Sequence, residues 1–171
     1  MKCRILIADD HEIVRRGIGT FLTSLRPDWE ICGEARDGEE AIAAVKRLTP
    51  DILVLDITMP GLSGLQAASE ISKLDLGCRV LIFTMHESES LSAEVRATGA
   101  RGYVCKSQAA RDLIVAIDSL LGGGTFFGGK TEIATRSDWT PMAASYSETK
   151  RKAVAIAPNM TTGKANSCRD R

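Results

Sequence analysis

The sequence lacks any apolar run near the roughly 20 residues that a membrane-spanning helix needs. Its start, M-K-C-R-I-L-I-A-D-D, reaches two acidic residues too early for the apolar core of a signal peptide. Its 171 residues carry a formal net charge of zero, so no overall excess of one sign points to a partner. We therefore expect a cytoplasmic protein that has no membrane partner.

The sequence also lacks a C-x-x-C pair. Its five cysteines, an odd number, stand at positions 3, 32, 78, 105 and 168, and several of them adjoin apolar runs. This pattern predicts reduced thiols that pack in a core, and it argues against both a disulfide framework and a zinc site.

What is present fits one domain with a short extension. A chain of this length, 44% hydrophobic and 26% charged, can bury one ordinary core. Residues 1–124 have 14 Lys and Arg against 18 Asp and Glu, whereas residues 125–171 have 8 against 4. Three consecutive glycines, at 122–124, precede this change in charge. We therefore predict a domain over residues 1–124 and a linker with a basic tail over residues 125–171.

Within the first 124 residues, short apolar runs alternate with longer segments whose apolar residues recur at helical spacing. The connections between successive runs are long enough to hold a helix, as parallel strands require. The pattern predicts an α/β fold in which a five-stranded parallel sheet is wound on both faces by five helices. The predicted strands cover residues 4–8, 29–35, 52–55, 80–83 and 102–105.

Polar side chains follow four of these strands: Asp9 and Asp10, Asp56, Thr84, and Lys106. Taken singly, each has an ordinary explanation as a helix cap, a strand residue or a surface charge. Together they fall at one edge of the sheet, where ligands of such folds bind. Three carboxylates there favour Mg²⁺, and one of them could then attack a phosphoryl group to form an aspartyl phosphate.

Four motifs in this order resemble the receiver domain of bacterial two-component response regulators. They are D-D-H at 9–11, L-D-I-T-M-P-G at 55–61, T-M-H at 84–86 and G-Y-V-C-K-S at 102–107, and the spellings are most similar to the NarL/FixJ branch. The match covers about residues 1–124. The resemblance implies a CheY-like receiver fold, Asp56 as the phosphoacceptor and a sensor histidine kinase as the phosphoryl donor. It implies chemistry at Asp56 only, not an enzyme with a separate substrate.

The same resemblance implies roles for the other residues of the site. Asp9 and Asp10, with Asp56 and the backbone near Thr58, would surround Mg²⁺. Thr84 and Lys106 would hold the phosphoryl group, with Thr84 and Tyr103 forming the switch. Family members usually have proline after the lysine, so we also expect a cis peptide bond between Lys106 and Ser107.

Two other classes of protein are less consistent with these motifs. A haloacid-dehalogenase-like phosphohydrolase has a D-x-D motif after the first strand, whereas here the first pair is adjacent and the isolated acid follows the third strand. A flavodoxin-like flavin binder needs a phosphate loop after the first strand, and the acidic D-D-H-E at 9–12 would repel phosphate.

The tail carries the least information about function. Residues 147–157 and 161–164 are similar to the start of a LuxR-type helix-turn-helix module, but nine residues after Thr162 are too few for a second helix and a groove-reading third. We expect a truncated or degenerate remnant, with signalling through the receiver surface as a homodimer or by docking to another protein. The rival hypothesis is a NarL/FixJ-type transcription regulator whose divergent tail binds DNA.

Overall fold

The computed structural model describes residues 2–85 and 90–127, together with the backbone of a last strand at 130–132. Contacts divide the chain after Trp139, and all described residues belong to the first unit. The predicted tail features at 147–157 and 161–164 therefore lie outside the described residues. The elements are, in chain order, β1 (Cys3–Ala8), α1 (Glu12–Leu25), β2 (Trp29–Ala35), α2 (Gly38–Leu48), β3 (Ile52–Asp56), α3 (Gly64–Lys73), β4 (Arg79–Thr84), α4 (Leu91–Ala97), β5 (Gly102–Cys105), a 3₁₀ turn (Lys106–Gln108), α5 (Ala109–Leu121), β6 (Thr125–Phe127) and β7 (Lys130–Glu132).

The strands form one sheet in the order β2-β1-β3-β4-β5-β6-β7, and the first six run parallel. The predicted doubly wound parallel sheet and its five helices are confirmed. The prediction of five strands was incomplete, because β6 pairs with β5 through Phe126 and Gly102, and β7 then runs antiparallel to β6. The sheet thus continues beyond the boundary predicted at residue 124.

The central strand β3 shows why the sheet needs cover on both faces. All five of its residues are buried. Leu53 and Leu55 join one apolar core with α2, α3 and α4, whereas Ile52 and Val54 join a second core with α1 and α5. Alternate side chains of a strand point to opposite faces, so a continuous apolar run is the expected sequence for this position.

Two helices begin with a side-chain cap. The Asp37 side chain accepts a hydrogen bond from the backbone N–H of Glu40 at the start of α2, and Ser63 and Gln66 form a reciprocal capping box at the start of α3. Each cap satisfies a backbone donor that has no partner within its helix. Of the helices in the described ranges, none is both long enough and apolar enough to span a membrane.

The β5–β6 contact leads to a prediction about two glycines. A Cβ at Gly102 would lie 2.3 Å from the backbone oxygen of Phe126, whereas a Cβ at Gly17, an exposed residue of α1, would meet no atom within 4 Å. We expect Gly102→Ala to destabilise the fold by about 1–3 kcal/mol through the forced shift. Gly17→Ala should stabilise it by about 0.5–1 kcal/mol through helix propensity.

Urea unfolding of both variants at one pH measures these changes. The same substitution at two positions gives opposite signs if β6 packs against β5 as described. A Gly102→Ala protein as stable as Gly17→Ala would contradict the pairing of β6 with β5.

Candidate functional site

The register of the sheet brings two acidic residues side by side. Ala8 of β1 pairs with Leu55 of β3, so the residue after each one is a neighbour across the same edge. Those residues are Asp9 and Asp56. Both carboxylates therefore stand at the carboxyl end of the sheet, where the sequence predicted them.

Burial makes these carboxylates unusual. Among the described residues, the buried polar or charged ones are Asp9, Asp56, Thr84 and Asp112, with exposed fractions of 1%, 4%, 0% and 9%. Three of these four lie at the end of β1, β3 or β4 on this edge. Buried carboxylates are stable only when a cation or hydrogen-bond donors compensate them.

Lys106 supplies that compensation. Its Nζ lies 2.6 Å from Oδ2 of Asp9 and 2.9 Å from Oδ2 of Asp56, with only 12% of its side chain exposed. Burial acts to lower the pKa of Lys106, but hydrogen bonds to the two carboxylates outweigh it and the pKa is raised. The amine is therefore a fixed cation that links Asp9 to Asp56.

The pKa of Asp56 is also raised above its ordinary value of 3.8. Burial is the main cause, and the negative charge of Asp9 adds to it. The hydrogen bond and charge of Lys106 act in the opposite direction, as does a hydrogen bond from the backbone N–H of Thr58. Asp56 is thus a buried carboxylate that Lys106 only partly neutralises.

Glycine at the start of α3 allows the backbone to approach Asp56 closely. A Cβ at Gly64 would lie 1.9 Å from the backbone oxygen of Asp56, and the N–H of Gly64 donates to the carbonyl of Ile57 at 2.9 Å. A larger residue at this position would force the strand and helix apart. The β3–α3 connection therefore fixes the backbone of Asp56.

Asp10, which follows Asp9 in the sequence, has a more exposed side chain than Asp9. Its Oδ1 lies 2.7 Å from Nδ1 of His11, and 32% of its side chain is exposed. Asp9, Asp10 and His11 form a group whose potential ligand atoms lie within 4.8 Å of one another. Sequence reasoning used His11 only as part of the D-D-H motif and missed its contact with Asp10.

The donor set fits a hard divalent cation. Asp9 and Asp10 offer carboxylate oxygens, which Mg²⁺ prefers, and the nearby Asp56 adds negative charge that one lysine does not cancel. Asp56 is not a member of the group formed by Asp9, Asp10 and His11. Thr58 reaches the site through its backbone N–H, which donates a hydrogen bond to Asp56. Direct binding of a metal by Asp56 or Thr58 remains a prediction.

The residues expected to act as a switch lie on neighbouring strands. Thr84 ends β4 and is fully buried, while Tyr103 of β5 is paired in register with Ile82 of β4. The Tyr103 ring packs in the same core as α4, with 9% of the residue exposed. The buried residues of α4, Leu91 and Val95, belong to the same core as Tyr103.

Phe127 is a neighbour of the switch that the sequence did not indicate. Its ring lies edge-to-face with Tyr103, with centroids 6.1 Å apart, and the guanidinium of Arg96 lies 3.7 Å from its ring centroid. Phe127 belongs to β6, beyond the predicted domain boundary. A strand of three residues has too little periodicity to be recognised, so this contact had no sequence signal.

One geometric expectation was wrong. The peptide bond between Lys106 and Ser107 is trans, and the Lys106 amine nevertheless reaches both carboxylates. The 3₁₀ turn that begins at Lys106 provides the required direction. Because serine lacks the tertiary amide of proline, a cis bond here would be about 3 kcal/mol less stable, and the trans backbone already positions the amine.

Comparisons with known proteins agree with this geometry. Residues 5–118 match the family described as "Response regulator receiver domain". The transcriptional regulatory protein DegU of Brevibacillus brevis is 33% identical over 129 residues, which cover 75% of this chain and 54% of DegU. The oxygen regulatory protein NreC of Staphylococcus epidermidis RP62A is 40% identical over 124 residues, covering 72% of this chain and 56% of NreC. The chain thus spans about half the length of these curated relatives.

Solved structures show the same similarity. A LuxR-family two-component response regulator from Aurantimonas sp. SI85-9A1 superposes with a TM-score of 0.69 at 34% identity, covering 89% of this chain and 99% of that one. The signal receiver domain of the putative response regulator NarL from Mycobacterium tuberculosis gives a TM-score of 0.67 at 31% identity, with 71% and 98% covered.

The raised pKa of Asp56 predicts how stability depends on pH. Because the folded-state pKa exceeds 3.8, the folded protein binds more protons than the unfolded chain between these two values. Stability due to Asp56 is therefore lost as the pH rises through this window. We expect metal-free Asp56→Asn to be more stable than the wild type at pH 7, with a difference that shrinks as the pH falls toward 3.8.

Urea midpoints of both proteins in chelator, from pH 4 to pH 7, measure this difference. A difference that stays constant with pH, or that favours the wild type at pH 7, would contradict the raised pKa.

Proposed function

The chain belongs to the response regulator receiver-domain family and carries a receiver domain of the NarL type, and from this premise we propose that Asp56 is its phosphoacceptor. The observation that carries the proposal is the buried Asp56 carboxylate, hydrogen-bonded by a lysine that also holds Asp9. Response regulators receive their phosphoryl group from sensor histidine kinases, and we propose such a kinase as the donor.

In the proposed step, one carboxylate oxygen of Asp56 attacks the phosphorus atom. A new P–O bond forms, the bond from phosphorus to the donor breaks, and the donor leaves with the bonding electron pair. When the donor is acetyl phosphate, the leaving group is acetate. The product is an aspartyl phosphate, and no water enters until hydrolysis.

Each neighbouring residue has a role in this step. Asp9 and Asp10 would hold Mg²⁺, which supplies positive charge and orientation to the transferring phosphoryl group when it is bound. Lys106 would contribute a second positive charge to the new phosphoryl oxygens, and its contact with Asp56 supports this role. The N–H of Thr58, already a donor to Asp56, can donate to the same group.

We further propose that phosphorylation changes the orientation of the Tyr103 ring and the packing of α4. The Thr84 hydroxyl would be drawn to the new phosphoryl oxygens, which leaves room for the Tyr103 ring to turn. A two-state packing change of this kind converts a local charge event into a change of surface. Because Phe127 contacts both Tyr103 and Arg96 of α4, it belongs to the element that must rearrange.

The output of the chain is a separate question. The curated relatives extend beyond the matched region, so what their names say of regulation does not transfer with the receiver domain. The DNA-binding hypothesis concerns the tail at 125–171, and homodimer formation would use the receiver surface. Both remain predictions beside the proposed phosphoacceptor function.

The proposed function predicts selective labelling of Asp56. Incubation with acetyl phosphate and Mg²⁺ should add one phosphoryl group to the wild type and none to Asp56→Asn, as measured by intact mass. Asp75→Asn is the matched control, since Asp75 is exposed and its positive φ of 48° suits asparagine. This control should be labelled like the wild type.

Chelation of the metal should abolish the labelling. The assignment fails if Asp56→Asn is labelled as fully as Asp75→Asn, or if labelling is unaffected by chelator.

The contact between Phe127 and Tyr103 predicts a second, local effect. Phe127→Leu removes the aromatic edge contact and should change the NMR signal of the Tyr103 ring in the unphosphorylated protein. It should also reduce the further change on adding a beryllofluoride phosphoryl mimic with Mg²⁺. Phe126→Leu is the control, because Phe126 is on the same strand but packs in the opposite core.

Both variants are compared in a Tyr146→Phe background, so that Tyr103 is the one tyrosine. Equal effects of Phe126→Leu and Phe127→Leu on the Tyr103 signal would rule out a specific role for Phe127.

A further inference from the structure

We propose that Arg15 is a positioning residue for the Mg²⁺ site, acting through the backbone that joins Asp9 to Asp10. This inference rests on the proposed function. Arg15 lies in α1, and its Nη1 donates a hydrogen bond to the backbone carbonyl of Asp9 at 2.7 Å. Its Nε donates to Oε2 of Glu34, on β2, at 2.8 Å. With 13% of its side chain exposed, the guanidinium joins α1, β2 and the loop after β1.

The peptide that Arg15 holds is the link between the two acidic residues. The carbonyl of Asp9 and the N–H of Asp10 belong to the same planar unit, so a hydrogen bond to that carbonyl restricts the orientation of the whole unit. The position of the Asp10 backbone after the end of β1 is thereby restricted as well. Asp10 itself is partly exposed and needs such a constraint to present its carboxylate at a fixed position.

The other polar groups of Asp9 are already engaged. Its N–H donates to the carbonyl of Ala35 at 3.1 Å, its Oδ1 accepts from the N–H of His11 at 2.9 Å, and its Oδ2 accepts from Lys106 at 2.6 Å. The carbonyl is the remaining group, and Arg15 engages it. Asp9 is therefore held from four directions, as a ligand-bearing residue of a pre-organised metal site should be.

If Arg15 acted only through its charge, it would weaken Mg²⁺ binding and not support it. A cation beside two carboxylates repels Mg²⁺, so deleting it should tighten metal binding if charge were its whole influence. Glu34, paired with the Arg15 guanidinium, reduces that repulsion while leaving the hydrogen bond to Asp9 in place. A positioning role therefore predicts weaker Mg²⁺ binding after deletion, and a charge role predicts stronger binding.

The test compares Arg15→Gln with Arg16→Gln in the full chain. Arg16 is the next residue of α1, is 74% exposed and pairs with Glu12 on the surface, so its substitution removes the same charge without touching Asp9. Titration calorimetry with Mg²⁺ gives the dissociation constants. We expect Arg15→Gln to bind about tenfold more weakly than the wild type, the lower end of effects seen for residues behind metal ligands. Arg16→Gln should bind as tightly as the wild type or more tightly.

Two further readouts separate positioning from general loosening. In the metal-free protein, the changes in amide chemical shift that Arg15→Gln causes relative to the wild type should be confined to residues near Asp9, Asp10 and Glu34. The Mg²⁺ concentration for half-maximal labelling by acetyl phosphate should rise, while the rate at saturating Mg²⁺ stays near the wild-type rate. Arg15→Lys keeps the charge but loses the forked geometry, so it too should bind Mg²⁺ more weakly than the wild type.

The inference is overturned if Arg15→Gln binds Mg²⁺ as tightly as Arg16→Gln, or if its shift changes extend across the sheet. Failure of the proposed function has a different signature, because the wild type itself would then show neither Mg²⁺ binding nor labelling of Asp56. Wild-type binding with equal constants for both glutamine variants rejects the role of Arg15 alone.

Discussion

One lysine amine between two buried carboxylates is the interaction on which the site depends. Lys106 contacts Asp9 and Asp56 at once, and each carboxylate stands on a different strand. Without the amine, two buried like charges would remain unpaired. Removing one partner of a buried ion pair typically costs about 3–5 kcal/mol. The lysine therefore stabilises the edge of the sheet, and under the proposed function the same amine would supply a cation to the phosphoryl group. A divalent metal is complementary to it, because the acidic residues still outnumber the lysine.

The sheet makes this interaction possible through its register. Ala8 pairs with Leu55, and Thr84 pairs with Cys105, so the next residues along β1, β3 and β5 emerge at one edge. A slip of one residue in any of these pairs would turn the functional side chain to the other face. The close approach of Gly64 to the backbone oxygen of Asp56 fixes the position of the end of β3.

Features governed by local pattern could be predicted from the sequence, and features governed by long-range geometry could not. The parallel strands, the cap at Asp37 and the capping box at Ser63 follow from periodicity and short-range hydrogen bonding. The order of acid, hydroxyl and amine at the strand ends was visible for the same reason. The short strand β6 has three residues and no clear periodicity. The hydrogen bond from Arg15 to Asp9 depends on how α1 packs, so nothing in the spacing of charges indicates it.

Conversion of Asp56 to its phosphorylated form would replace a carboxylate by a group with about −1.5 to −2 charges and three strong acceptor oxygens. At this buried position the added charge has few possible partners, and Lys106 is already shared with Asp9. Any stronger contact from Lys106 to the new group must weaken its hold on Asp9 unless the metal takes over that carboxylate. Under the proposed function, the remaining hydrogen bonds to the phosphoryl group would come from Thr84 at the end of β4. Tyr103 lies on the neighbouring strand and packs in one core with Phe127, so we expect the packed interior to respond by a change of arrangement and not by gradual deformation.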